Sequence, residues 1–469
     1  MFYRRKTKGF FYYFKVFAYT LIGIFAAVHF YLQHQNNKNS FNSDEILANS
    51  VLKNKKFAAE IKEIEASGIK AYLMEEHSNP IVSISFEFGK AGYAYDKKGK
   101  FGLANVSADL IMAGAGRYVK QTLLDLLEEN GIKIGFGVSK DSLSGSIIFP
   151  KSNMATAQHL LRQIINYPRL PEVHLYTIKA QMLKSLQLQK ENPNSVLSLT
   201  FNEKVFAGHP YSRNPIGKQE DIQNISTDDV RAYLSNALAK NNLIIGISGD
   251  ITEKESQKMI TDVFGPISSE NKNEALEKLT YDSNGNSFNV NRDIPQVIVE
   301  FSALGTYREN KDFYPLYLAN YIFGESGLNS RLNKTIREEK GLTYGIYSVL
   351  ASNDASALII GKFSAATENY EKAKQLLLEQ WHDMAVNGVT SEELENAKKS
   401  LIDSFNLRFA AIDDVSDMLV AMQKHNLGID FLQKRNDYIR NINLNEVNNA
   451  ALQYFRNAPD FVTIGTERN

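Results

Sequence analysis

The 469-residue sequence contains no cysteine, and this absence excludes disulfide bonds, thiolate zinc sites, iron–sulfur clusters and a cysteine nucleophile. It has no excess of charge of either sign, because 53 lysines and arginines balance 53 aspartates and glutamates. A nucleic-acid-binding surface usually leaves a basic excess, so the composition argues against a nucleic-acid partner. The hydrophobic share of 43% is typical of a packed globular protein, and the length predicts two to four domains.

Motifs of the common hydrolase sites are also missing. The sequence has 8 histidines, and no two stand on one helical turn with a carboxylate between them, as a mononuclear zinc hydrolase normally requires. His29 and His34 are the closest pair, and they lie in and beside an N-terminal apolar run. The sequence contains no G-x-S-x-G turn and no P-loop. The catalytic residues of these enzyme classes are therefore not recognisable from local spacing.

The N-terminus predicts the compartment. Four basic residues between positions 4 and 8 precede an apolar run, Val16–Leu32, which would span roughly 26 Å as a helix. Because basic residues stay on the cytoplasmic side, we expect residues 1–43 to form a cytoplasmic tip and a single-pass anchor in the inner membrane. The remaining chain would lie on the periplasmic or extracytoplasmic side. The alternative is a cleaved signal peptide, with Ala26-Ala27 near the cut, and it exports the same residues from about 44 onward.

The rest of the chain contains a long internal repeat. Five landmarks recur in the same order at offsets between 210 and 217 residues. The matched positions are Pro80 and Pro295, Gly131 and Gly341, Asp141 and Asp354, Ile225 and Ile442, and Gly249 and Gly465. Five ordered matches at a nearly constant offset predict two homologous halves.

Each half begins with two strands of period-two alternation, followed by helices and a closing strand. The strands are expected at 70–75 and 81–88, then at 287–290 and 296–303. Thr390 begins a capping box for a helix that runs on toward Phe409. This order predicts an α+β fold of two homologous domains, 44–267 and 286–469, each a mainly antiparallel sheet covered by helices. The polar segment 268–285 would be a flexible linker between them.

Three segments resemble motifs of the insulinase/pitrilysin-like metallopeptidases, a family that includes processing peptidases and their non-catalytic partners. KKGKFGLANVSADLIMAGAG resembles the signature helix, HPYSRNPIG from His209 resembles the His-Pro-Tyr segment, and SRLNKTIREEKGLTYGIYS from Ser330 resembles the second-domain motif. The resemblance covers the chain from about Ile69 and implies a clamshell arrangement of the two domains. For His209-Pro210-Tyr211 the plainer interpretation is a turn with a packed tyrosine.

The signature helix departs from the family pattern at the positions that carry its chemistry. By motif match, the two zinc-binding histidines are replaced by Asn105 and Asp109, and the glutamate base by Ala108. The family's third ligand, a glutamate about 75 residues on, is absent between Glu172 and Glu191. Asparagine is a poor zinc ligand, and a single aspartate does not replace two imidazoles and a glutamate. We therefore expect no metal site, no bound cofactor and no catalytic residue in this chain alone.

The second-domain motif is intact. In the family, an arginine and a tyrosine seven residues apart reach toward the active site and hold the substrate's carbonyl groups; by motif match these are Arg337 and Tyr344. A guanidinium group and a phenol are both donors that can stabilise a developing oxyanion. The counterpart of Tyr344 in the first half is Ile134, so the polar pair belongs to the second half only. The plainer alternative is a solvated helix end followed by an ordinary strand aromatic.

These features predict a non-catalytic subunit of a heterodimeric zinc peptidase. The chain would supply Arg337 and Tyr344 to a zinc-bearing paralogous subunit that cleaves unfolded peptides. The alternative is an exported peptide-binding or structural scaffold protein with no role in catalysis. An active enzyme with an unusual site is the third and least favoured interpretation.

Overall fold

Each half of the repeat forms one β-sheet. The computed structural model describes residues 60–405, 409 and 411–466, and the predicted N-terminal anchor lies outside them. The first half contributes β1 (Ile61–Ala66), β2 (Ile69–Glu75), β3 (Ile81–Gly89), the short β4 (Gly114–Ala115) and β5 (Tyr118–Val119), β6 (Lys133–Val138), β7 (Ser142–Pro150) and β8 (Leu243–Gly249). The second half contributes β9 (Ser287–Asn291), β10 (Gln296–Leu304), β11 (Ile346–Ser352), β12 (Ala357–Ala366) and β13 (Asp460–Gly465).

The two large sheets have the same topology. The first has the order β1-β2-β8-β3-β7-β6, and the second, read from its opposite edge, has the order β9-β13-β10-β12-β11. In both, the only parallel pair joins the closing strand to an N-terminal strand, β2 with β8 and β9 with β13. Phe86 lies opposite Gly145 in the first sheet, and Phe301 lies opposite Gly361 in the second. The sheets therefore confirm the α+β class and its mainly antiparallel pairing, and β1 is the one strand of the first sheet without a counterpart.

The helices carry clear start signals. The first half contains α1 (Leu103–Leu110), α2 (Lys120–Glu129), α3 (Met154–Asn166), α4 (Glu172–Glu191), α5 (Pro193–Val205), α6 (Gln219–Gln223), α7 (Thr227–Ala237) and α8 (Glu253–Phe264). The second contains α9 (Phe313–Asn320), α10 (Tyr370–Val386), α11 (Ser391–Asp403), α12 (Ile412–Lys424), α13 (Phe431–Asn441) and α14 (Leu444–Tyr454). Capping boxes at Ser226, Thr252, Thr390 and Asn443 satisfy free amide groups of the first turns of α7, α8, α11 and α14.

Each sheet has a hydrophobic face covered by helices of its own half. Ile84, Phe86 and Phe88 of β3 belong to the core of the first half, together with residues of α3, α7 and α8. Val299 and Phe301 of β10 belong to the core of the second half. Alternate residues of both strands point to the opposite face, as period two requires.

That opposite face is covered by a helix from the other half. Helix α12 packs on β3 and β8, where the Ser416 hydroxyl lies 2.8 Å from that of Ser83 and 2.9 Å from that of Ser85. Helix α5 packs on β10 and β13, where Ser198 donates a hydrogen bond of 2.7 Å to Glu300. A third hydrophobic cluster joins Leu197 and Phe201 of α5 to residues of the second sheet. The described residues of the two halves consequently form one compact unit.

The connecting segment 268–285 contains neither helix nor strand in the structure. It is nevertheless held in place, because the amide of Leu279 donates a 2.7 Å hydrogen bond to the carbonyl of Ala355. Asn271 and Ser283 are buried, and Leu276 and Tyr281 pack against the third hydrophobic cluster. Among the described residues, no helix is both long enough and apolar enough to cross a bilayer.

Candidate functional site

Helix α1 carries the degenerate signature positions, and its start is fixed by buried contacts. Asp96 is buried, and its carboxylate accepts hydrogen bonds from the amides of Gly102 at 2.7 Å and Ala104 at 3.0 Å. Gly102 (φ 100°) and Gly217 (φ 99°) both have left-handed conformations. A Cβ at Gly102 would overlap the carbonyl of Ile216, and a Cβ at Gly217 would overlap the carbonyl of Phe101. The backbone at the start of the signature helix thus packs closely against the end of the His-Pro-Tyr segment.

Three residues replace the zinc ligands and the base: Asn105 and Ala108 contact other parts of the fold, and Asp109 faces solvent. Asn105 donates a 2.6 Å hydrogen bond to the carbonyl of Pro215, and Ala108 is buried in the core. Asp109 is exposed to solvent, and loss of part of its hydration nevertheless raises the pKa of its carboxyl group, an effect that Lys120 opposes. At the position where the motif would have a metal ligand, Asn105 therefore binds the backbone of the neighbouring loop.

Helix α4 lies against α1 but supplies no carboxylate there. Its residues near the expected ligand position are Gln181, Lys184 and Ser185, all exposed. One turn earlier, Lys179 donates hydrogen bonds to the carbonyls of Gln223 (2.6 Å) and Ile225 (2.8 Å). No group of three or more histidine, aspartate or glutamate residues within 60–405, 409 and 411–466 is placed to hold a metal ion. An asparagine, an alanine and one aspartate do not form a zinc-binding set, so these residues do not fit the family's metal.

The His-Pro-Tyr segment is a turn with a packed tyrosine, as the plainer interpretation of the sequence expects. Tyr211 is 0% exposed, and its hydroxyl donates a hydrogen bond to Asp141 and accepts one from the amide of Ala355 at 3.0 Å. Asp141 also accepts from the amide of Asp354 at 3.2 Å, so the two aspartates matched in the repeat meet where the halves join. The sequence did not predict this role of Asp141, although the match of Asp141 with Asp354 in the repeat pointed to both residues.

Arg337 lies in a π-helical segment, Asn333–Glu338, that precedes the edge strand β11. Asn333 ties this segment to the strand, because its amide donates 2.7 Å to the carbonyl of Ile346. The Arg337 carbonyl accepts a 3.0 Å hydrogen bond from Gly341, which closes the turn. The Arg337 side chain is half-buried and forms no ion pair with any residue in the described part of the chain.

Tyr344 lies on the loop between that turn and β11. Its side chain is 94% exposed, the largest fraction among the exposed large hydrophobic residues of the described chain. The neighbouring Thr343 fixes the loop, because its hydroxyl donates 2.7 Å to the carbonyl of Ser364 and accepts from the amide of Gly345 at 3.2 Å. The structure thus places Arg337 near the end of the π-helical segment and the exposed Tyr344 on the anchored loop that follows it.

The first-half residue that the motif match pairs with Tyr344 is not its structural counterpart. Ile134 lies within β6 and packs partly against the first core, whereas Tyr344 lies on the loop before β11. The second half therefore presents a cationic donor and a phenol donor, which can hold carbonyl or carboxylate oxygens. Of the three degenerate positions of α1, only Asp109 carries a carboxylate.

Comparison with known proteins finds one matching family and several relatives of this chain. The family described as "Peptidase M16 inactive domain" matches residues 224–401 of the chain. A relative from Helicobacter pylori, named "Non-peptidase homolog YmxG", is 26% identical over 425 residues, covering 87% of this chain and 91% of the relative. A relative from Bacillus subtilis, named "Uncharacterized zinc protease YmxG", is 22% identical over 305 residues, covering 64% of this chain and 72% of that protein.

Solved structures support the fold. The peptidase M16 inactive domain from Pseudomonas fluorescens superposes with a TM-score of 0.81 at 23% identity, covering 87% of this chain and 98% of that one. The periplasmic protease PqqL from Escherichia coli gives a TM-score of 0.74 at 15% identity, with 87% of this chain and 46% of that chain covered. The resemblance stated from the sequence motifs is thereby confirmed.

Proposed function

Because this chain is a degenerate member of the insulinase/pitrilysin-like metallopeptidase family, we propose that it is the non-zinc-binding subunit of a two-chain peptidase. It would pair with a zinc-bearing paralogous chain and hold an unfolded peptide for cleavage by that partner. The observation that supports this most directly is the contrast between the two motifs. Asn105 is committed to Pro215, whereas Tyr344 is 94% exposed and Arg337 has no carboxylate partner in the described chain.

In this proposal Arg337 and Tyr344 bind and orient the substrate. The guanidinium group of Arg337 would hold a backbone carbonyl, and the Tyr344 hydroxyl would donate to the oxygen on which negative charge develops. The zinc ion and the base would belong to the partner, and no proton is transferred by a residue of this chain.

The test is peptide hydrolysis by the chain co-expressed with its zinc-bearing paralogue. Arg337→Ala and Tyr344→Phe should each lower kcat by roughly 10²–10³ if these side chains stabilise the oxyanion. Lys340→Ala and Tyr347→Phe are matched controls, since both residues are exposed in the same region and should leave turnover unchanged. Full turnover in both test variants would contradict the proposed role. Peptide binding without hydrolysis in any pairing would instead favour the scaffold alternative.

The cofactor assignment has its own measurement. The purified chain should contain well below one zinc per molecule by elemental analysis, because its donor set does not suit the ion. The partner, or the complex, should contain the metal. A stoichiometric zinc content in this chain alone would contradict the assignment.

We also propose that the N-terminal segment anchors the chain and exports residues from about 44 onward. The support is the basic tip followed by the apolar run Val16–Leu32. Proteinase added to spheroplasts should then degrade an epitope placed after Asn469 while an N-terminal epitope stays protected. Protection of the C-terminal epitope would contradict this orientation, and loss of the N-terminal epitope from the mature protein would favour a signal peptide.

A further inference from the structure

A groove of about 510 Å³ lies beside helix α12 on the face of the first sheet that this helix covers. The helix packs on β2, β3 and β8, and the groove lies over the adjoining face of β6 and β7, toward the sheet edge. Its volume is within the range of small-ligand and side-chain binding sites. The groove is separate from the Arg337–Tyr344 turn, which belongs to the second sheet.

The groove exists because its floor has almost no side chains. Gly135 and Gly137 of β6 and Ser144 and Ser146 of β7 line it, and a Cβ added at Gly135 would meet nothing within 4 Å. Gly135 pairs across β7 with Ser85, and in the second sheet the residue that pairs across β12 with the equivalent Glu300 is Tyr347. The position that is a glycine in the first sheet therefore carries a large side chain in the second.

The charges that surround the groove are mainly negative. Glu87 pairs with Lys424 at 2.7 Å on one side, and Asp417 of α12 lines the groove while forming no ion pair with any described residue. A second hollow of about 390 Å³ shares Asp417 and Ala421 with the groove and adds the exposed Asp414. Of the two carboxylates that line the groove, that of Glu87 is paired with Lys424, whereas that of Asp417 is unpaired within the described chain and available to a cationic side chain.

We propose that this groove binds the basic side chain of an extended peptide. The aliphatic stem would lie along Val420 and Ala421, and the guanidinium or ammonium group would reach Asp417, in the way that long cationic side chains bury their stems. The serine hydroxyls of the floor accept hydrogen bonds from its remaining N–H groups. The inference deepens the proposed function, on whose peptide-holding part it rests, by naming a side chain that the held peptide carries.

The test measures peptide binding by the full chain without any partner. The probes are a dye-labelled nonapeptide, Ser-Thr-Ala-Val-Arg-Val-Ala-Thr-Ser, and its counterpart with neutral citrulline in place of arginine, both followed by fluorescence anisotropy. The arginine peptide should bind at least about tenfold more tightly, and added salt should reduce this preference. Equal binding of the two peptides would overturn the proposal.

Two variants locate the binding. Gly135→Val should raise the Kd of the arginine peptide at least about tenfold while the circular dichroism and the unfolding midpoint are retained, because the new side chain enters open space on a strand that favours β-branched residues. Asp417→Asn should bring the ratio of arginine to citrulline affinity close to one. Glu65→Gln removes an exposed carboxylate from β1, at the other edge of the same sheet, and should leave the ratio unchanged.

The outcomes separate this proposal from the proposed function. Wild-type affinity in the folded Gly135→Val protein would overturn the groove as the site. If Arg337→Ala abolishes peptide binding while Gly135→Val and Asp417→Asn do not, the groove proposal fails and the Arg337–Tyr344 turn is the holding site. If the groove variants lose binding but hydrolysis in the pair is insensitive to Arg337→Ala, the groove proposal survives and the oxyanion role fails.

Discussion

Asp96 connects the start of the degenerate signature helix to a measurable pH dependence. Burial raises the pKa of its carboxyl group to about 7, even though the amides of Gly102 and Ala104 favour the charged form. The folded state then binds a proton more tightly than the unfolded chain, so this residue stabilises the fold below pH 4 relative to neutral pH. Its contribution to the unfolding free energy decreases as pH rises from about 4 to 7 and is constant above.

Asp96→Asn should remove this slope. The difference in unfolding free energy between wild type and variant should change by about 2–4 kcal/mol between pH 4 and pH 7.5, at about 1.4 kcal/mol per unit of pKa shift. Urea unfolding followed through the fluorescence of Trp381 measures it. Glu255 and Glu393, whose pKa values are lowered to about 2, lose their stabilising effect in acid and cancel in the comparison. Parallel curves for the two proteins would contradict the prediction.

Tyr211 should matter for stability and not for chemistry. Tyr211→Phe leaves the buried Asp141 carboxylate and the buried amide of Ala355 without their shared hydroxyl, which we expect to cost about 2–4 kcal/mol. Tyr176→Phe is the matched control, since Tyr176 is 77% exposed, and should change stability by less than about 0.5 kcal/mol. Chemical denaturation measures both, and an equal stability of the two variants would show that the hydroxyl is not needed at the junction.

Among helices and strands, both sheets use the same close packing of phenylalanine over glycine. A Cβ at Gly361 would overlap the Phe301 ring, and a Cβ at Gly145 would overlap the Phe86 ring. Gly145→Ala should therefore destabilise the protein by about 1–3 kcal/mol, and Phe86→Leu should partly restore stability in the double variant, because only side chains meet the new Cβ there. Gly135→Ala, on an open position of β6, is the control and should have little effect. Additive losses in the double variant would contradict a direct clash.

Elements with strong local patterns were well predicted from the sequence. The four expected strands occur at Ile69–Glu75, Ile81–Gly89, Ser287–Asn291 and Gln296–Leu304, because alternation identifies a half-buried strand directly. The capping box at Thr390 is confirmed, but its helix ends at Asp403 and not near Phe409. Strand β1 was missed, since its two isoleucines, Ile61 and Ile64, stand three residues apart with two charged residues between them and do not alternate as strand residues usually do.

The candidate site, too, was predictable only where its residues form a local sequence motif. A motif match identified Arg337 and Tyr344 as candidates, but the hydrogen bond from Asn105 to Pro215 depends on a loop 110 residues away, which no local pattern predicts. The glycine-floored groove beside α12 likewise requires a helix from the other half of the chain. Contacts between distant segments are set by tertiary packing, and a single sequence carries little information about them.

For the molecule as a whole, the crossing of α5 and α12 makes the halves interdependent. Residues 60–267 expressed alone should fail to fold, because α5 would expose Leu197 and Phe201 and the first sheet would lack α12. Co-expression with residues 268–466 should restore a soluble, cooperatively unfolding complex. Circular dichroism and size-exclusion chromatography measure both outcomes. Independent cooperative unfolding of either half alone would contradict this interdependence.

The crossed helices also constrain how such a chain could arise. A single copy of the repeat would have one uncovered sheet face and one helix without a sheet to pack on. A second copy provides the missing helix and the missing sheet face. A single-repeat ancestor would therefore be a homodimer in which each chain packs one helix on the sheet of the other. Duplication and fusion of its gene would add little more than a connector, after which the two copies could diverge in their exposed side chains while the exchanged helices preserved the fold.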